Sequence, residues 1–382
     1  MRDEGRRPKT FSTVLGEMTL MRAYYHCETC KNSLVPRDRA LLIEQTSLSP
    51  GVIRMTGLAA AMVSFEEGSL LLSELAGVKV NAKQVERTAE ALGRQIAEDE
   101  RRHVESDDQI ASTLYLGVDG TGIPVRQSEV LGRKGKQADG SAKTREVKLC
   151  TVWSAESRDK EGRPTRDEGS VTYSAAIESA AASAIDDAPF AQRVIREATR
   201  RGFDKAKRRV VLGDGAHWIW NLSGEYFPGA VEIVDRFHAK ERLSGASKAI
   251  YGAGSELGAQ WAEERHDELD EGRLEDLIHL LDIHGSSCDE ARKCRDYISE
   301  NRSRMRYPEF HAQGLCTSTG VVEAGCKLAI GTRLKRAGMH WTVEGADAII
   351  ALRCTILSGR FEDFWERRAE HAARRTATLT GR

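Results

Sequence analysis

The chain has 382 residues, of which 40% are hydrophobic and 30% are charged, and its formal net charge is only −1. This length allows two or three domains. The near-neutral charge gives no overall sign of a nucleic-acid partner, so any basic surface must be local. No stretch approaches the roughly 18 apolar residues of a membrane span, and the charged N-terminus lacks the apolar region of a secretory signal. Eight cysteines are too few for a disulfide scaffold, so we expect a reduced, cytoplasmic protein.

Residues 1–46 are predicted to form a β-rich segment that resembles part of a zinc ribbon. A strand-like run over Met18–Leu34 contains Cys27 and Cys30, and this spacing suits two thiolate ligands of one Zn²⁺ ion. A closed structural site needs four ligands, and no second pair of ligands follows. Two plain thiols are therefore the favoured interpretation, and bound zinc is the alternative.

Residues 47–110 are predicted to be helical. A short helix over Ser69–Ala76, a turn with a glycine and a longer helix over Ala82–Glu105 follow the order of a helix-turn-helix. Two basic residues near the start of the longer helix would then contact DNA, namely Lys83 and Arg87. Ordinary packing of two helices gives the same pattern, so both interpretations stay open.

Residues 111–240 contain short apolar runs that predict buried strands, and two of these runs lead to an aspartate. Leu114–Val118 is followed by Asp119, and Val210–Leu212 is followed after one glycine by Asp214. Open α/β sheets bind ligands at the carboxyl ends of their strands, although an Asp-Gly pair alone is more often a turn. The order of three strands, helix, strand, helix and strand predicts an α/β fold with a mixed five-stranded, ribonuclease-H-like sheet. In that sheet the first and fourth strands lie side by side, and the two aspartates face each other.

Residues 241–314 are helical in pattern and highly charged, which predicts an all-α insertion, and residues 315–382 would complete the core and add C-terminal helices. Within that last segment, Ser318–Gly320 predicts a helix start, with Glu323 in the opening turns. Lys327 lies four residues later on the same face, so a surface ion pair is the alternative to a functional role.

Three carboxylates from distant parts of the chain suit phosphodiester chemistry. Such cleavage or strand transfer uses two divalent ions, roughly 4 Å apart, that bind the attacking and leaving oxygens. Mg²⁺ prefers oxygen ligands and keeps several waters, so a few carboxylates suffice. Nearby basic residues would hold DNA phosphates. They are Arg133, Lys134 and Lys136 in one loop, and Arg333, Lys335 and Arg336 after the third carboxylate.

Five blocks together resemble DDE transposases of bacterial insertion sequences, of the ISKra-type group. They are RAYYHCETC, LGVDGTGIPV, LGDGAHWIW, VEIVDRFHAKERL and STGVVEAGCKLAIGTRLKRAGMHWT. The resemblance runs from about residue 18 to residue 365. It implies a ribonuclease-H-like catalytic core and a triad of Asp119, Asp214 and Glu323 that binds two Mg²⁺ or Mn²⁺ ions. Asp235 and His238 match the DxxH motif of related groups, with a role in supporting the metal site or orienting DNA, or else as a helix cap and an interface histidine.

The same resemblance implies double-stranded DNA as the partner, both as element ends and as target. It also implies action in the prokaryotic nucleoid as a homodimer or higher multimer on DNA. The family function would be metal-dependent cleavage and strand transfer at the ends of the element. Two alternatives stay open: a ribonuclease-H-fold nuclease without strand transfer, and a defective or domesticated copy that acts as a DNA-binding regulator. A zinc hydrolase is disfavoured because the sequence has no HExxH motif.

Overall fold

A computed structural model describes residues 1–104, 110–135, 137–181 and 188–380. The chain divides into two compact units, each built from separate segments. Unit 1 comprises Met1–His103, Ile123–Arg145 and Ala329–Arg382, and unit 2 comprises Val104–Gly122 and Glu146–Leu328. The domain boundaries predicted from the sequence remain predictions.

The strands are β1 (Arg2–Thr13), β2 (Gly16–His26), β3 (Ser33–Leu34), β4 (Thr113–Pro124), β5 (Thr144–Ser154), β6 (Ser157–Arg158), β7 (Pro164–Thr165), β8 (Thr172–Ala176), β9 (Arg208–Gly213) and β10 (Val231–Val234). The helices are α1 (Pro36–Ala40), α2 (Pro50–Met62), α3 (Phe65–Ala76), α4 (Ala82–Arg102), α5 (Pro189–Arg200), α6 (His217–Tyr226), α7 (Arg236–Tyr251), α8 (Glu256–Asp270), α9 (Leu274–Gly285), α10 (Asp289–Asn301), α11 (Tyr307–Ala312), α12 (Gly320–Gly325), α13 (Thr332–Leu334), α14 (Val343–Leu357) and α15 (Phe361–Thr380). A π-helical segment, Cys326–Gly331, joins α12 to α13.

Unit 1 combines a small N-terminal sheet with a helical core. The sheet has the order β1-β2-β3, and β2 pairs antiparallel with both neighbours. The carboxylate of Asp38 in α1 is buried and forms ion pairs with Lys9 of β1 and Arg22 of β2. These two ion pairs join the N-terminal sheet to α1 within unit 1.

The helical core of unit 1 centres on α14, which packs against α2 and α4. The contact is close because Gly93 of α4 lies against the backbone of Ala348, where an added Cβ would come within 2.0 Å of the carbonyl oxygen. Helices α3 and α4 both have side-chain caps at their starts. Ser64 and Glu67 form a capping box on α3, and the side chain of Asn81 accepts a hydrogen bond at the start of α4. Such caps stabilise a helix by roughly 1 kcal/mol each.

Unit 2 contains the mixed five-stranded sheet that the sequence predicts. Its order is β10-β9-β4-β5-β8; β9 is parallel to both β10 and β4, and β8 is antiparallel to β5. The adjacent pair β4 and β9 are the first and fourth strands of the sheet, as predicted. Val210, Val211 and Leu212 of β9 are fully buried, as expected for an uninterrupted apolar run in a strand that lies between two parallel neighbours.

Helices surround this sheet within unit 2, and residues 241–314 are helical over α7 to α11. Helix α10 packs against α7 and α9. Within the described residues, no helix combines the length and the apolar character needed to cross a membrane.

Candidate active site

Asp119 lies on β4 and Asp214 follows the last residue of β9, so both belong to the adjacent parallel strands of unit 2. Asp119 is half-buried, and its Oδ1 accepts a hydrogen bond of 2.6 Å from the amide of Gly120. The thiol of Cys326 donates to the other oxygen of Asp119 at 3.4 Å. One residue of the late segment that carries Glu323 therefore contacts the first aspartate directly.

The Asp214 loop is fixed by a helix that sequence analysis did not connect with it. Asp214 Oδ1 accepts from the amide of Ala216 at 2.9 Å, and the Tyr297 hydroxyl of α10 donates to the Asp214 carbonyl oxygen at 2.9 Å. Gly215 adopts φ +94°, and an added Cβ there would lie 2.4 Å from the Tyr297 ring. The helical segment thus holds the loop in a conformation that requires glycine.

Glu323 lies on the short helix α12, and its side chain is exposed. Two glycines bring this helix close to the sheet. A Cβ added to Gly117 of β4 would lie 2.2 Å from Val322 Cγ2, and one added to Gly325 would lie 2.8 Å from the Tyr173 ring. Lys327 falls in the π-helical segment. Lys327 and Glu323 are both among the described residues, and no ion pair joins them. The surface ion pair considered as the alternative is therefore not observed.

Asp235 joins the end of β10 to the start of α12. Its side chain is 1% exposed. One carboxylate oxygen caps α7 by accepting from the amide of His238, and the other accepts from the amide and the hydroxyl of Thr319. The amide of Arg236 donates to the carbonyl oxygen of Thr317 at 2.9 Å. Both oxygens of Asp235 are thus used to hold neighbouring backbone, which favours a positioning role over metal binding.

The carboxylates of this region influence one another electrostatically. Burial raises the pKa of Asp119, and the nearby charge of Asp214 raises it further, while its hydrogen bonds and His238 oppose the shift. Burial also raises the pKa of Glu323, with added contributions from Asp235, Glu241 and Asp119, again opposed by His238. Burial is the main cause of both shifts, and the charges of neighbouring carboxylates add to it.

The residues of this region suit a hard divalent cation by their chemistry. Carboxylate oxygens are the ligands that Mg²⁺ prefers, and a bound cation would favour the charged forms of Asp119 and Glu323, which burial and neighbouring carboxylates disfavour. Among the residues that the structure describes, none provides a hydrogen-bond partner for the buried Nε2 atom of His238. Within the described ranges, however, no three His, Cys, Asp or Glu side chains stand close enough together to hold a metal ion as they are. Binding would thus require these side chains to move.

The basic residues predicted to contact DNA all belong to unit 1, whereas the carboxylates belong to unit 2. Exposed side chains are found at Lys83, Arg87, Arg133, Lys134 and Lys335. Lys83 forms an ion pair with Glu86, and Arg336 forms one with Glu67. The prediction for Arg333 is wrong for this conformation, because the side chain is 0% exposed and cannot reach a phosphate backbone. Lys136 lies outside the described residues.

Cys27 and Cys30 are free thiols in unit 1. Hydrogen bonds involving Cys30, chiefly from its backbone, lower the pKa of Cys27 to about 7. Neither cysteine takes part in a group of three metal-binding side chains within the part of the chain that the structure describes. Zinc binding at this pair stays a prediction.

Three residues at the site were not predicted from the sequence: Cys326, Tyr297 and Thr319. Each acts through a contact with a residue far away in the chain, with separations of 207, 83 and 84 residues from its partner. A local pattern carries no signal of such contacts. Only Thr319 was near an expected feature, since it lies where the sequence predicts the start of the helix with Glu323.

Comparison with known proteins identifies one family, and among solved structures it gives distant matches. No curated protein matches the sequence. Among solved structures, the Drosophila P element transposase strand transfer complex aligns with 83% of this chain and 80% of its own, at 9% identity and a TM-score of 0.28. At that TM-score the alignment carries no conclusion about fold or function. An uncharacterised protein family, UPF0236, matches residues 3–368. The chain is therefore a member of the UPF0236 family.

Proposed function

We propose that this protein is a DNA transposase of a bacterial insertion sequence, similar to the ISKra-type group, with a ribonuclease-H-like core. It would cleave and join DNA at three carboxylates, Asp119, Asp214 and Glu323. The observation that carries the proposal is geometric: Asp119 lies on β4, Asp214 directly follows the adjacent parallel strand β9, and Cys326, three residues after Glu323, donates a hydrogen bond to Asp119.

Bound Mg²⁺ or Mn²⁺, two ions for the reaction, would lower the pKa of the attacking water and stabilise charge on the leaving oxygen. The chain's own residues supply the geometry. The two aspartates sit at neighbouring strands, where the sheet holds their backbone rigidly. Asp235 and Thr319 hold the helix that presents Glu323. His238, whose buried Nε2 has no hydrogen-bond partner among the described residues, would orient a water or a phosphate oxygen beside Asp119 and Glu323.

The test is DNA cleavage by charge-neutral variants of the three carboxylates. Asp119→Asn, Asp214→Asn and Glu323→Gln should each lower cleavage of the DNA that flanks the coding sequence by a factor of about 10³ or more. DNA binding, measured without divalent ions by gel shift, should stay within about twofold, because the basic residues are unchanged. Glu241→Gln is a matched control, since this exposed carboxylate lies near Glu323 and should cleave as the unmodified protein does.

The assay also separates the alternatives. Pre-cleaved ends that are joined to a second duplex identify a transposase, whereas cleavage without joining identifies a nuclease. Binding without either reaction in Mg²⁺ or Mn²⁺ would identify a DNA-binding regulator and contradict the proposed function. Any of the three variants that still cleaves at the unmodified rate would remove its residue from the assignment.

A further inference from the structure

The loop that joins β2 to β3 carries two cysteines that the proposed chemistry does not use. Cys27 and Cys30 are free thiols, and a 2.9 Å hydrogen bond from the Cys27 amide to the Asn32 carbonyl oxygen closes the loop. All residues from 28 to 33 are exposed. No other part of the described chain therefore covers this loop, and Cys30 is accessible to a second molecule.

The backbone of this loop holds the two sulfurs together on one side. The amides of Thr29 and Cys30 and the side chain of Cys30 form hydrogen bonds with the Cys27 sulfur. Amide hydrogen bonds stabilise negative charge on sulfur, and zinc binds cysteine as the thiolate. Lys31, directly after the second cysteine, adopts the left-handed conformation at φ +56°, which is uncommon for a residue other than glycine. The folded loop thus places two sulfurs as a metal-binding pair requires.

This pair supplies half of the ligands of a structural zinc site. Such a site is closed by four protein ligands, so two thiolates leave two positions to be filled. Within the part of the chain that the structure describes, no further His, Cys, Asp or Glu side chain forms a group of three with the pair. The other two ligands would therefore come from another molecule.

A second copy of this chain can supply those ligands by symmetry. An interface with twofold symmetry brings the same residues of both copies together, so the second loop would present its own two thiolates. The loop is also complementary to itself in charge, because Glu28 and Lys31 are both exposed and neither forms an ion pair with another described residue. Glu28 of each copy can thus pair with Lys31 of the other.

We propose that Cys27 and Cys30 bind Zn²⁺ together with the same two residues of a second copy, so that one ion joins two chains. Four thiolates would then surround the ion in the tetrahedral arrangement that zinc prefers. Binding releases the protons of the thiols to the solvent. The proposal does not depend on the activity proposed above, because all of its residues belong to unit 1 and none is one of the three carboxylates.

Metal analysis and X-ray absorption of the full-length protein, kept reduced and equilibrated with zinc chloride, test this site. We expect about one zinc ion per two chains, with four sulfur ligands at roughly 2.3 Å. By light scattering, the molar mass should halve when a chelator removes the zinc and should be restored when zinc is returned. One zinc ion per chain, fewer than four sulfurs, a mass that zinc removal does not change, or no zinc uptake at all would each overturn the proposal.

Two variants connect the zinc to the named residues. Cys27→Ser and Cys30→Ser should each lose both the zinc and the dimer, because one substitution removes two of the four ligands of a shared site. Cys30 is exposed, so its variant should melt at the same temperature as the chelator-treated, unmodified protein. Cys288→Ser changes a half-buried cysteine of unit 2; it is the matched control and should keep the zinc and the mass. A zinc-dependent dimer of Cys30→Ser would contradict the site.

Discussion

At the Asp119 carboxyl group, the role proposed above would oppose the stability of the folded chain. Burial and the charge of Asp214 raise its pKa above the ordinary value of 3.8. The folded state therefore binds this proton more tightly than the unfolded state does. By linkage, the residue costs stability when it is ionised, so its contribution worsens as the pH rises from about 3.8 through the raised pKa.

Asp119→Asn should thus make the protein more stable at pH 7, while removing cleavage. We expect a gain of the order of 1 kcal/mol in the free energy of unfolding, measured by urea denaturation in buffer with a chelator. The gain should shrink as the pH falls and disappear below about pH 3.8, where the wild-type carboxyl is protonated in both states.

Asp289→Asn is a control for which we expect the opposite effect on the free energy of unfolding. This exposed aspartate has a pKa lowered chiefly by its hydrogen bond with Lys293, so its charge stabilises the folded state above its ordinary pKa. The substitution should lower stability slightly at pH 7 and have no effect at low pH. If Asp119→Asn made the protein less stable at pH 7, the ionised Asp119 carboxylate would not cost the folded state stability, and the prediction would be contradicted.

For single residues, the sequence indicates which side chains carry suitable chemistry but does not show what surrounds them in the fold. The position of Asp214 could be predicted because a carboxylate after a buried strand is a local pattern, whereas Asp119 lies within β4, which continues to Pro124. Arg333 was expected to contact DNA phosphates, and its packing against Phe65, which is far away in the chain, and against Trp341 depends on the fold. The roles of Tyr297 and Cys326 depend on contacts that only folding creates.

Among the elements, α12 is the one whose position matters most for the candidate active site. It has only the six residues Gly320–Gly325, so it cannot be stable by itself. Its position depends on the close approach of Val322 to Gly117 and of Gly325 to the Tyr173 ring, together with the hydrogen bonds of Asp235 to Thr319.

A double-mutant cycle tests this packing. Gly117→Ala should destabilise unit 2 by about 1–3 kcal/mol, because the new methyl group has no room beside Val322. Val322→Ala removes the opposing methyl groups, so Gly117→Ala should cost much less in that background. Urea denaturation of the four proteins gives the coupling energy. If the two substitutions had additive effects on the free energy of unfolding, the methyl group added at Gly117 would not clash with Val322.

The secondary structure could be predicted best where the apolar pattern is strong. The buried strands β4 and β9 and the helices α3 and α4 follow from such patterns. Strand β1 does not follow from an apolar pattern, because most of its residues are exposed and half are charged, and it forms by pairing with β2. The π-helical segment Cys326–Gly331 also has no sequence signal, yet it alters the register between Glu323 and Lys327.

For the whole molecule, the main feature is that each unit draws on separated parts of the chain. Unit 1 takes its central helix, α14, from the C-terminal segment, although its other helices come mostly from the N-terminal segment. Ala346 and the run from Ala348 to Leu352 are buried, so this helix has apolar contacts on nearly all sides. The sequence analysis predicts that residues 315–382 complete the core begun by residues 111–240, and no local pattern indicates that α14 packs against α2 and α4.

Truncation tests that arrangement. A chain of residues 1–328 lacks α13 to α15, so the surfaces of α2 and α4 that contact α14 should become exposed. We expect loss of cooperative thermal unfolding for unit 1 and strong binding of an apolar dye. A chain of residues 1–374, which keeps α14, should melt like the full-length protein. Cooperative melting of the 1–328 chain without dye binding would contradict the central role of α14.

Gly117 lies beside α12, and Gly325 is the last residue of that helix. Both glycines affect how a large-scale mutagenesis of this protein is interpreted. Gly117 and Gly325 bear no chemistry, yet any side chain there displaces the helix that carries Glu323. In a screen that scores only DNA rearrangement, these positions would be as intolerant as the carboxylates. Measuring abundance alongside activity separates the two classes, since Asp119→Asn would give an abundant, inactive protein and Gly117→Ala a scarce one.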